Sequence, residues 1–81
     1  MDKHTTFTTI NSMLSKKHNV RLRLDDKTIA LICKCESEQI YQVMLSLYEA
    51  KNTSDDFVKE SIVRVSRETR KPIGFDMQKE W

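Results

Sequence analysis

The sequence predicts an α+β fold: a short N-terminal helix, a β-hairpin, and two longer C-terminal helices packed on that hairpin. Three observations predict it. Val20, Leu22 and Leu24 alternate with Arg21 and Arg23, the period-two pattern of a half-buried strand. Thr28 to Cys35 sorts the same way, with Ile29, Leu31, Cys33 and Cys35 on one side and Thr28, Ala30, Ile32 and Lys34 on the other. Downstream, apolar residues recur at helical spacing in two segments bounded by capping residues and, finally, by Pro72.

Taken in order, residues 1 to 8 are polar and threonine-rich and begin without a clear element. From Thr9 to Lys17, Ile10, Met13 and Leu14 make a short helical face. Thr8 or Thr9 suits its N-cap, and Lys16, Lys17 and His18 suit the negative end of its dipole, with His18-Asn19 as the exit. The hairpin turns at Asp25-Asp26-Lys27, which lacks the glycine of a tight turn. An all-α bundle is the rival reading, with Ile29, Ile32, Cys33, Ile40, Val43, Met44 and Leu47 along one long helix from Asp26. That helix would put Glu36 on its buried seam and begin with isoleucines of poor helix propensity, so the hairpin is preferred.

Ser37 to Lys51 is the strongest helix, with Ser37 as N-cap and Glu36 and Glu38 near the positive end of its dipole. Asn52-Thr53-Ser54 breaks it. Thr53 or Ser54 then caps a last helix from Asp55 to about Arg70, opened by Asp55 and Asp56 and stopped by Pro72. The core expected from these elements joins Val20, Leu22, Leu24, Ile29, Leu31 and Cys33 to Val43, Met44, Leu47, Val58, Ile62 and Val65.

Eighty-one residues make one small domain, 1–81, with 1–7 and 72–81 as less regular ends. Hydrophobic residues at 38% are too many for a disordered chain and too few for a large core, so a homodimer is a natural way to bury more surface. Fourteen cationic residues against twelve anionic ones give a net charge of +2, which argues against a general nucleic-acid coat protein and leaves room for a local basic stripe. The longest apolar stretch, Ile29 to Cys33, is far too short to span a membrane. The N-terminus has no basic region leading into an apolar run, so a cytoplasmic address is expected.

The chemistry-bearing residues point away from catalysis. Cys33 and Cys35 stand too close in sequence to pair easily with each other and read as core thiols. With His4 and His18 they lack the paired spacing of a structural zinc site. A single glycine excludes a phosphate-cradling loop. Asp25-Asp26 suits a turn and Asp55-Asp56 a helix start. No enzyme, metal or cofactor is expected. The acceptor triplet Asn52-Thr53-Ser54 carries no weight without a secretion signal.

What remains is binding. The central helix has two apolar stripes, Ile40–Val43–Met44–Leu47 and Tyr41–Leu45–Tyr48. The tail adds Phe75, Met77 and Trp81. The favoured reading is a small regulator acting by protein–protein contact, with Tyr41, Tyr48, Phe75 and Trp81 as anchors. The alternative is a dimeric DNA-binding regulator using Arg21 and Arg23 on the first strand with Arg64, Arg67 and Arg70 on the last helix. Its order of strand, helix, turn and helix (Thr28–Cys35, Ser37–Lys51, Asp55–Arg70) is loosely that of proteins placing a β-ribbon in the major groove.

Overall fold

Four helices, each opened by a side chain suited to cap it, account for the regular structure. The computed structural model describes residues 2–70. In chain order these form α1 (Lys3–His18), α2 (Asp26–Ile32), α3 (Ser37–Ala50) and α4 (Asp55–Thr69), with no strand among the described residues. The fold is therefore all-α, and the expected α+β hairpin is absent.

The correction has a local cause. Asp25 accepts the Thr28 N–H at 2.8 Å and opens α2, so the predicted turn Asp25-Asp26-Lys27 starts a helix instead. The tight hairpin turn also needs a positive φ, and among the described residues only Asn19, Lys51 and Arg70 have one. Residues 28–32 satisfy helical spacing as well as alternation, and Thr28 and Ile32, one turn apart, are the buried pair. Nor is there one long helix. The chain leaves α2 through Lys34 N–H to Leu31 O and Cys35 N–H to Ile32 O, each a tightened three-residue bond. Glu36 then caps α3, its N–H donating to Gln39 Oε1 at 2.7 Å.

The first helix begins six residues before the expected Thr9. Asp2, not Thr8 or Thr9, caps it by accepting the Thr5 N–H at 2.8 Å. Its buried stripe is Phe7, Ile10 and Leu14, while Met13 points outward with 49% of its surface exposed. The threonines that hide this helix from propensity arguments mostly occupy its outer face. Asn19 ends it in the left-handed conformation, the exit expected at that residue.

Contacts between helices fix the arrangement. Cys33 Sγ lies 3.8 Å from the Lys3 carbonyl at one end, and Tyr48 reaches Asn11 and His18 toward the other, so α1 and α3 run parallel. Gln39 Nε2 donates to Thr69 Oγ1 at 2.9 Å and Arg64 bonds Ser46, so α4 runs antiparallel to α3. The central helix α3 is thus enclosed between α1 and α4, and α2 packs against α4. Ile40, Val43, Met44, Leu47 and Tyr48 are all fully buried. Val58, Ile62 and Val65 meet them from α4, as the sequence requires.

Among the described residues two buried polar atoms, His18 Nε2 and the Ser61 hydroxyl, lack a hydrogen-bond partner. The Ser61 hydroxyl of α4 is buried without a hydrogen bond. Ser61→Ala is expected to raise stability by up to about 1 kcal/mol, since it removes a desolvated hydroxyl and leaves packing nearly unchanged. A fall in the urea midpoint would show that the hydroxyl is satisfied.

Candidate functional site

The connection between α1 and α2 is built differently from the rest. Asn19 N–H bonds back to α1, Val20 N–H donates to Ser15 O at 3.1 Å, and the chain reverses. Residues 19–25 and α2 together carry the chain back toward the start of α1, where Cys33 meets Lys3. Within 20–25 burial alternates: Val20, Leu22 and Leu24 are half-buried against the core, while Arg21, Arg23 and Asp25 are exposed. The alternation read from the sequence therefore describes the two faces of this segment, although it belongs to no sheet.

Two features distinguish the segment. From Arg21 to Leu24 no backbone N–H or C=O is hydrogen-bonded among the described residues, so the chain presents an open edge. Among the described residues neither the Arg21 nor the Arg23 guanidinium has a hydrogen-bond or ion-pair partner. Arginine is always charged and carries five donors, so these are two unspent cations held about two residues apart on a line. The lower end of the segment is pinned by Asp25, whose cap bond to Thr28 N–H holds its carboxyl below the usual range. Asp2 is lowered in the same way by Thr5.

The other basic candidates stand in a mixed field. Lys59, Arg64, Arg67 and Arg70 of α4 are exposed, but Asp56, Glu60 and Glu68 share that outer face. Arg64 is also tethered to Ser46. The cations on α4 are thus interleaved with anions, whereas Arg21 and Arg23 are not separated by any.

The tyrosine stripe divides. Tyr48 is buried, its ring 5.8 Å from that of His18 and its hydroxyl donating to Asn11 Oδ1 at 2.6 Å. Tyr41 and Leu45 remain half-buried. Phe75 and Trp81 lie outside the described residues. Sequence reasoning missed Asn11 as the partner of Tyr48, because no spacing rule joins residues of two separate helices. It also missed Gln39, whose burial and capping role were signalled by the Glu36-x-x-Gln39 spacing.

The cysteines are both free thiols. Burial pushes Cys35 up to about 12, and burial with the nearby Asp2 charge also raises Cys33. The thiolate is the reactive form, so the native protein should alkylate slowly at pH 8 and more slowly at Cys35 than at Cys33. The same shift makes a stability prediction. The unfolded thiol ionises near its ordinary 9.0 while folded Cys35 keeps its proton, so this contribution is complete below pH 9 and is lost between pH 9 and about 12. Denaturant midpoints should fall across that window, and Cys35→Ala should flatten the fall. An unchanged fall in the variant would assign it to other groups.

Among the described residues no three His, Cys, Asp or Glu side chains gather as a metal-binding set. No helix there is long and apolar enough to cross a membrane. No protein-family model matches the chain, and neither a curated protein nor a solved structure does so.

Proposed function

We propose that this chain is a small non-enzymatic regulator that binds duplex DNA, with Arg21 and Arg23 as its principal contacts. The observation that supports this reading most is the pair of exposed guanidinium groups, without a partner among the described residues, on a segment anchored by Val20, Leu22 and Leu24. Arginine donates bidentately to the guanine edge in the major groove, at about 1–3 kcal/mol of discrimination per contact, and also holds phosphates. An anchored segment presents such groups at little entropic cost. The modest net charge of +2 fits a localised contact better than a general coating of nucleic acid. Lys59, Arg64 and Arg70 would add phosphate contacts at most, because carboxylates intervene.

A second reading, docking to another protein, has one specific support. Tyr41 and Leu45 stay half-buried one turn apart on α3, while Met13 is exposed on α1. The enclosure of Tyr48 leaves this surface small, and DNA is preferred for that reason.

The test is a titration of labelled short duplexes with the full chain at stepped salt. Binding at low salt is expected, with log K falling linearly in log salt by about 0.9 per phosphate neutralised. No binding at the lowest salt would overturn the reading. Capture of a protein through Tyr41 and Leu45 would then take its place.

A further inference from the structure

We infer that the outer face of α1 is a surface for a phosphate backbone, with Lys16 and Lys17 as its charged contacts and the Thr9 and Ser12 hydroxyls as its neutral ones. The inference rests on the DNA reading for the identity of the polyanion, and adds to it a helix face that the two arginines do not supply.

Charge is the first reason. Residues 3–24 hold five cations, Lys3, Lys16, Lys17, Arg21 and Arg23, and no carboxylate. The rest of the chain carries nine cations against twelve carboxylates, so the whole net charge of +2 arises in this stretch. Among the described helices only α1 lacks a carboxylate: α2 has Asp26, α3 has Glu38 and Glu49, and α4 has Asp55, Asp56, Glu60 and Glu68. Its cap Asp2 lies at the far end, bonded to Thr5. At the near end Glu49 and Lys51 of the parallel α3 offset each other. A face of one sign attracts an extended polyanion.

Position is the second. Phe7, Ile10 and Leu14 turn toward the core. At about 100° per residue, Thr9, Ser12 and Lys16 fall on the opposite side within about 60° of arc, and they span about 10 Å along the axis. All three are exposed, as is Lys17. The helix ends in a fixed reversal: Asn19 N–H donates to Lys16 O at 3.4 Å and Val20 N–H to Ser15 O at 3.1 Å. That reversal holds the two lysines at the root of the arginine-bearing segment.

The choice of outward residues is the third. Exposed helix positions are best filled by alanine, glutamate, lysine or glutamine, whereas α1 places Thr8, Thr9 and Ser12 there, at a loss of helix propensity and with no packing gained. The Thr8 and Ser15 hydroxyls bond to carbonyls within the helix, while those of Thr9 and Ser12 have no partner among the described residues. Hydroxyls donate readily to phosphate oxygens.

The experiment titrates a labelled random-sequence duplex with the full chain at stepped salt. Lys16→Ala with Lys17→Ala should bind about tenfold more weakly at low salt and make the salt dependence of log K shallower by about two units. Thr9→Ala with Ser12→Ala should weaken binding about three- to tenfold at unchanged salt dependence, because the lost contacts carry no charge. The same variant should unfold at higher urea, since alanine is the better helix former, so its weaker binding would not come from a weaker fold. Wild-type affinity and salt dependence in the lysine pair would overturn the inference, as would wild-type affinity in the hydroxyl pair. If binding is lost only with Arg21→Ala and Arg23→Ala, the DNA reading stands and the α1 face falls. No duplex binding by the wild type would sink both. Displacement of the duplex by polyglutamate at matched charge would reveal a surface for any polyanion and overturn the assignment to nucleic acid.

Discussion

Replacing Tyr48 by alanine should destabilise the domain by about 3–5 kcal/mol, the usual cost of emptying a buried aromatic site. For 81 residues the whole stability is about 4–12 kcal/mol, so this one change removes a large part of it. The reason is position. Tyr48 has 0% of its surface exposed, stacks obliquely on His18, and donates to Asn11, so one side chain joins α3 to two points on α1. Tyr48→Phe separates the contributions. It keeps the ring and loses the hydroxyl, at a cost of about 1 kcal/mol, because half-buried Asn11 can turn its oxygen to water. Urea midpoints at unchanged slope would measure both. A loss below about 1 kcal/mol in the alanine variant would mean that α1 does not depend on this seam.

The second large effect concerns binding. Arg21→Ala combined with Arg23→Ala should lower duplex affinity about 100-fold or more, from two contacts of about 1–3 kcal/mol each. The salt dependence should become shallower by about one unit per lost phosphate contact. Stability should change by no more than about 0.5 kcal/mol, because both side chains are exposed. Arg64→Ala is the contrasting case. Arg64 is bonded to Ser46 and flanked by Glu60 and Glu68 on its own helix, so its loss should change affinity little. If the double variant bound duplexes as wild type does, the arginine segment would not be the contact surface.

Much of the fold was legible where local signals agreed. Both C-terminal helices were read to within a residue of α3 and α4 from helical spacing and the Ser54 cap, although Glu36 and not the expected Ser37 caps α3. The faces of Val20 to Leu24 were also legible, since alternation reports which side is buried whether or not a sheet forms. The arginines of the candidate site came from that same alternation. Their lack of a bonded partner among the described residues did not, because it depends on what the rest of the chain brings near.

Two elements misled for different reasons. The first helix was underestimated because Thr5, Thr6, Thr8, Thr9 and Asn11 are weak helix formers, and the missing stabilisation comes from Phe7, Ile10 and Leu14 against α3. The segment from Thr28 to Cys35 admits both periods over so short a run. Asp25 at its start and the Glu36–Gln39 cap at its end decided for helix.

The sequence alone therefore determined which residues turn inward along 20–24 and along most of α3 and α4, where two helices begin and end, and which cations lie outward. Only the tertiary structure decided that residues 28–32 are helical, that Tyr48 belongs to the core, and that the backbone of residues 21–24 has no partner among the described residues. Local periodicity records a residue's preference for water or for oil. Which element covers a given face, or leaves an edge open, depends on contacts between residues some thirty positions apart, such as Gln39 with Thr69 and Cys33 with Lys3, and no local pattern encodes those.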